Sequence, residues 1–159
     1  MLAVLFFLKF DDIKISPNLL MDDEGMPYHH APAGKSDIEI IYNNNYALLI
    51  EATLLMHKAG QLNNETSALI RRGLDYQNKT KLITCSMLIA PRIHFDTILF
   101  FKSLLHDTFR SLKCGAFPIS IERFIENFIN SDENIKVMIE SKFSEFKSAE
   151  IDKLSKIVN

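Results

Sequence analysis

Hydrophobic and polar positions divide the chain into short segments of changing period. Residues 1–10 (MLAVLFFLKF) are almost wholly apolar and read as a buried helix or strand. Residues 11–36 are rich in Asp, Gly, Pro and His, and Pro17, Pro27 and Pro32 interrupt any long helix there. Within them, residues 25–34 (GMPYHHAPAG) read as an irregular loop. Alternation begins at residue 37, where DIEIIY has the period-2 pattern of a half-buried strand. The asparagines at 43–45 signal a turn, because Asn tolerates left-handed backbone. Residues 46–55 (YALLIEATLL) resume as a mostly apolar strand, so the two segments predict a β-hairpin.

Gly60 reads as a break, after which Asn63 or Asn64 is expected to cap a helix running to about Leu74. Leu62, Leu69 and Ile70 would face the core. Residues 81–90 (KLITCSMLIA) form an apolar run typical of a strand covered on both faces, ended by Pro91. Residues 94–110 carry Ile98, Phe101, Leu105 and Phe109 at helical spacing. Residues 116–119 predict a short strand, and Pro118 places it at a sheet edge. Ser120 is an N-cap for a helix over residues 121–129, and Ser131 for a last helix over about 132–157. Strands alternating with helices predict one α/β domain spanning residues 1–159, with a central mixed β-sheet flanked by helices.

The net charge of −2 changes the picture for any nucleic-acid reading. Phosphate neutralisation supplies most non-specific affinity for DNA, so a chain that holds DNA unaided carries a basic surplus. Without one, either a partner brings this chain to DNA or its basic residues are segregated to one face. The two cysteines, Cys85 and Cys114, lack metal-ligand spacing, and Cys85 reads as a buried free thiol. The apolar start lacks a basic flank and is too short to span a bilayer. A cytoplasmic location, with no membrane association, is the expectation.

The chemistry concentrates in residues 34–72. Glu51 sits inside an otherwise apolar run (ALLIEATL), where a lone carboxylate is costly unless paired or coordinated. The hairpin sets Asp37 beside it on the neighbouring strand. Two adjacent carboxylates repel, which a divalent cation between them relieves. Mg²⁺ suits oxygen ligands and keeps several waters, one of which can attack a phosphodiester. The main-chain carbonyl of Ala52 is the candidate third ligand.

Ser36-Asp37 followed by Glu51-Ala52-Thr53 resembles the PD-(D/E)xK nuclease superfamily, with Ser in place of Pro and Thr in place of Lys. A narrower resemblance runs through SDIEIIY, LLIEATL, Gln61, Asn64-Glu65, Arg71-Arg72 and residues 117–125 (FPISIERFI). It is to the AlwI-like branch of type IIS restriction and nicking endonucleases, whose members carry E-x-T, and it covers roughly residues 34–130. The resemblance implies a restriction-endonuclease-like fold and Mg²⁺-dependent cleavage of double-stranded DNA. It implies Glu65 as a third acidic residue, reaching the site from a helix. Thr53, on the same strand side as Glu51, would contact a water or a phosphate. The positive charge of the missing Lys falls to Lys35, Lys58, Arg71 or Arg72, the candidate DNA contacts. Gly73 stands where related sequences often have His, so no His role carries over. The branch includes heterodimers in which a large subunit recognises the site and nicks one strand while a small subunit cuts the other. This chain carries no recognisable DNA-reading motif, which fits the small subunit.

Each residue also has a plainer reading. Glu39 joins the site or faces solvent. His29 and His30 touch phosphate or sit in a surface loop, and Glu24 adds a carboxylate only if a helix forms around it. Lys35, Arg71 and Arg72 bind DNA or are simply solvated, and His57, His94 and His106 have no metal-like spacing. Two other functions remain open on sequence: a stand-alone repair or mobile-element nuclease of the same fold, and a degenerate nuclease fold retained as an interaction module.

Overall fold

The structure is a computed structural model describing residues 13–24, 27–29, 31–107 and 114–126. The expected elements at 1–10 and 132–157 lie outside the described residues, as does His30. The centre is a five-stranded mixed sheet in the order β1-β4-β5-β6-β7. Its strands are β1 (Ile13–Pro17), β4 (Ile38–Tyr42), β5 (Tyr46–Ala52), β6 (Ile83–Ala90) and β7 (Cys114–Ser120). The first three are antiparallel neighbours, whereas β6 and β7 run parallel to β5. A separate two-stranded sheet pairs β2 (Leu20–Met21) with β3 (Pro27–His29).

The β4–β5 hairpin follows the expected register, with Ile38 opposite Ile50 and Tyr42 opposite Tyr46. Asn43 and Asn44 turn the chain with φ of 48° and 53°. Those left-handed values match the twist of a tight hairpin and strain Asn less than a branched residue. The strand ends at Ala52, three residues earlier than the sequence pattern suggests. Thr53 leaves it with its N–H bonded to the Ile89 carbonyl at 2.9 Å. β7 occupies a sheet edge among the described strands, where Pro118 costs no ladder bond.

Two expectations change. β1 and β2 fall in residues 11–36, where the prolines argue only against a long helix, and β3 falls in residues 25–34, read as an irregular loop. The Ile-Lys-Ile alternation of β1 is only a few residues long, and Pro17 is tolerated because β1 is an edge strand. The helix after β5 is also longer than expected and is not capped by Asn63 or Asn64. It opens as a single turn, α1 (Lys58–Gly60), so Gly60 lies inside it. It continues as a π-helical segment, Gln61–Thr66, and then as α2 (Ser67–Thr80). It stops at Lys81, whose φ of 64° supplies the left-handed cap that Gly usually provides. α3 (Phe95–Asp107) and α4 (Ile121–Phe124) complete the described elements. The Ser120 hydroxyl caps α4, accepting from the Arg123 N–H at 3.3 Å.

Period-2 alternation splits the core between the two sheet faces. Ile38, Ile40, Leu48, Ile50, Cys85, Met87 and Ile89 fill one face with Phe117 and Phe124. Leu88 and Ala116 meet Leu69 of α2 and Phe101 of α3 on the other. Asp37, Glu39, Leu49 and Glu51 have the parity of this second, helix-covered face.

α2 presses hardest on the sheet at Gly73. A Cβ built there would stand 2.6 Å from the Ser86 Oγ and 3.2 Å from the Cys114 Sγ. Gly→Ala at an exposed helix position gains about 1 kcal/mol. Here the overlap should reverse the sign, with G73A destabilising by roughly 1–3 kcal/mol in urea denaturation. S86A should recover part of that loss in the double variant. A G73A chain as stable as the parent would remove close approach as the reason for this glycine.

Candidate active site

Asp37 and Glu51 come together as the hairpin expectation required. Continuing the Ile38–Ile50 register by one residue sets Asp37 level with Glu51. The Asp37 Oδ2 accepts a hydrogen bond from the Ala52 N–H at 2.8 Å. In an antiparallel ladder the N–H and C=O of one residue point the same way. The Ala52 carbonyl therefore projects to the Asp37 side of β5, away from β6. Two carboxylates and one main-chain carbonyl thus converge at the end of the hairpin.

Glu51 is the buried member, 7% exposed. Burial pushes its carboxyl above the usual carboxylate range, and the neighbouring Asp37 charge adds to the rise. The Arg72 guanidinium and a hydrogen bond with the Ser36 side chain oppose it. Arg72 Nη1 lies 2.5 Å from Glu51 Oε1. This is an ion-pair contact through one guanidinium nitrogen, and the buried Arg72 Nε has no hydrogen-bond partner. Arg72 therefore faces the carboxylate pair, whereas Arg71 is exposed and lines an open groove between α2 and α3 with Ile70, Leu74 and Phe100.

Glu65 reaches the strand end from the π segment. Its Oε1 accepts from the Thr53 hydroxyl at 3.3 Å. The same hydroxyl accepts from the Leu55 N–H at 3.2 Å, which turns the chain out of β5. Thr53 is thus a neutral link between strand end and helix. The π segment is the unusual element: its wider turn is rare and recurs at functional sites. Gln61, wholly buried in it, donates to the carbonyls of Leu55 at 2.8 Å and Arg92 at 2.6 Å. It accepts from the His94 N–H at 3.3 Å. One side chain therefore ties the loop after β5 to the loop before α3.

Two contributors were not foreseen. Asn18, just past β1, donates its main-chain N–H to the Asp37 carbonyl at 2.9 Å. Its side-chain amide donates to the Ser36 carbonyl at 2.8 Å and the Glu39 carboxylate at 3.0 Å. It clamps the segment bearing Asp37 and engages Glu39. Ser36, at the motif's Pro position, is buried and supports Glu51. A single Asn after a Pro has no periodic signal, and the role of Ser36 depends on its neighbour across the hairpin.

The remaining candidates are more peripheral. Lys35 is exposed, its N–H closing a turn onto the Pro32 carbonyl at 3.0 Å. Lys58 pairs with Asp96 on the surface. The His94 ring bonds the Met56 carbonyl at 2.7 Å, a structural contact. Glu24 lies in an exposed turn, its N–H bonded to Asp22. Cys85 and Cys114 are buried and not joined in a disulfide, and burial pushes the Cys114 thiol up to about 12.

The donor set fits a hard divalent cation. Among the described residues no three of His, Cys, Asp or Glu converge to hold an ion. Mg²⁺ sites need only one or two carboxylates, because the ion retains water. The Glu51 and Asp37 carboxylates and the Ala52 carbonyl meet that requirement.

Comparison with known proteins bears on the fold and the family. No curated protein sequence matches the chain. Among solved structures, the small subunit of the heterodimeric restriction endonuclease R.BspD6I is similar in fold. It has a TM-score of 0.71 and 20% sequence identity, over 92% of this chain and 77% of that one. The mixed sheet with flanking helices is therefore a restriction-endonuclease-like fold. The family model for AlwI restriction endonuclease matches residues 2–127, and the chain accordingly belongs to the AlwI restriction endonuclease family.

Proposed function

We propose that the chain is a Mg²⁺-dependent DNA endonuclease subunit that cuts one strand of a duplex. The observation that carries this reading is the buried Glu51 carboxylate set beside Asp37 at a strand end, with the Ala52 main chain turned toward Asp37. Asp37, Glu51 and the Ala52 carbonyl would hold the ion. When bound, Mg²⁺ supplies an acidified water and neutralises charge on the scissile phosphate. The protein residues do the positioning. The Ala52 N–H and Asn18 set the Asp37 carboxylate, while Ser36 and Arg72 set that of Glu51. Thr53 holds Glu65 at the strand end, where that carboxylate can take a proton from an attacking water. Lys35, Lys58 and Arg71 are proposed to contact the DNA backbone.

We further propose that the chain acts as the small subunit of a heterodimeric type IIS enzyme, beside a large, site-recognising, nicking subunit. The net charge of −2 supports dependence on a partner for DNA binding, and the fold similarity to such a small subunit is in keeping with it. Among the described residues no helix is long and apolar enough to cross a membrane. The cytoplasm is the proposed location, a compartment where buried thiols stay reduced.

Mixing tests the assignment. With a nicking large subunit of this family, the purified chain should convert nicks into double-strand breaks in Mg²⁺ and give none in EDTA. E51Q and D37N should each lower second-strand cleavage more than about 100-fold, exceeding the loss from removing a residue behind a ligand. Continued double-strand cutting by both variants would overturn the site. Duplex cleavage by the chain alone would instead indicate a stand-alone nuclease.

Thr53 separates a working E-x-T site from a degenerate one. T53V should slow cleavage by roughly 10–100-fold, because Glu65 and the Leu55 N–H lose their shared partner. T53S should retain most activity. Equal rates for T53V and the parent would show that the Thr53–Glu65 link is catalytically idle.

A further inference from the structure

Arg72 lies where two carboxylates converge, and its contacts are incomplete. The pair Arg72–Glu51 is largely withdrawn from water, with side-chain exposures of 25% and 9%. A guanidinium and a carboxylate pair best as two parallel hydrogen bonds. Here the groups touch at 2.5 Å through Nη1 and Oε1 alone, and the buried Nε lacks a hydrogen-bond partner. Both ends keep unused capacity: Glu51 for another cation, Arg72 for an anionic oxygen.

Charge balance points the same way. Asp37 and Glu51 against Arg72 leave the cluster one net negative charge. A divalent cation would make it one net positive, and one phosphodiester would then neutralise it. Glu39 and Glu65, which accept from the neutral Asn18 amide and Thr53 hydroxyl, keep their own charges and are counted outside this cluster. Arg72 is also held close by backbone geometry. The next residue, Gly73, lets α2 approach Ser86 more closely than any side chain would allow.

We propose that Arg72 is the resident counter-ion of the Asp37–Glu51 site and yields Glu51 to a divalent cation, then turns its freed guanidinium toward the DNA phosphate. This deepens the proposed nuclease function and rests on its metal-site reading. Arg72 competes with the metal for Glu51 before cleavage and supplies the cationic group that Thr53 cannot. It is a positioning residue in the free chain and a phosphate ligand in the loaded one.

Metal binding without DNA tests the competition. Ca²⁺ and Mg²⁺ are titrated calorimetrically into the parent chain, R72Q and D37N. R72Q should bind Ca²⁺ roughly tenfold more tightly, a coupling of about 1.4 kcal/mol. It should also cut more slowly in the mixed enzyme. D37N should bind neither ion. Equal or weaker Ca²⁺ binding by R72Q, with D37N still defective, overturns the counter-ion role and leaves the metal site standing. Absence of binding by the parent chain overturns both readings. A second measurement needs no folded variant. The Arg72 Nε–H resonance of the ¹⁵N-arginine-labelled parent chain should be protected from solvent exchange without metal and become fast-exchanging on adding Ca²⁺. An unchanged exchange rate at saturating Ca²⁺ also overturns the proposal.

Discussion

Taking the Glu51 carboxylate out of water costs several kcal/mol after relaxation, of order that for any buried ion. The site is arranged around offsetting that cost. Ser36 hydrogen-bonds the carboxylate from the start of β4, and Arg72 approaches it from α2. Neither interaction is sufficient, since burial still outweighs them and the carboxyl stays above its ordinary range. Asp37, held by the Ala52 N–H, raises it further. A stable fold alone would not need two carboxylates placed this way. The proposed cation would offset the remaining imbalance.

Helix placement follows from the same constraint. Arg72 reaches Glu51 because α2 sits unusually low on β6 and β7, and it does so because Gly73 has no side chain. The Lys58–Asp96 pair offers a contrast. It lies on the surface, with side-chain exposures of 62% and 41%. Exposed pairs contribute about 0–1 kcal/mol, so this one does little to fix geometry. Gln61 does far more, since it satisfies three main-chain groups on two loops at once. Its inward position, together with the reach of Glu65 to Thr53, goes with the π-helical turn. The strand end, the loop after it and the helix are consequently one connected unit.

Much of this architecture is legible along the chain. Strong, short-range signals carried through: alternation in β4, the Asn turn, the apolar run of β6, Pro118 at an edge and Ser120 as a cap. Weak signals failed where tertiary contacts replaced them. β1 is too short to show a period and exists because β4 offers it an antiparallel edge. The helix start moved from Asn63 to Lys58 because buried contacts of Gln61 outweigh the preference of Asn for a cap. The helix end moved to Lys81 because a residue other than Gly adopted the left-handed cap.

The site shows the same division. A carboxylate within an apolar run, fourteen residues past another at a strand start, is enough to pair Asp37 with Glu51, because a hairpin register follows from its turn and its alternation. Thr53 and Glu65 enter as candidates through the resemblance to E-x-T nucleases, not through spacing. Sequence alone could not rank Lys35, Lys58, Arg71 and Arg72, since each is an ordinary basic residue by composition. Only the packing of α2 turns Arg72 inward and Arg71 outward, and only the end of β1 brings Asn18 onto Asp37. Local pattern determined which carboxylates meet at the end of the hairpin. Long-range packing, whose contacts leave no periodic trace, decided which neighbours hold them in place.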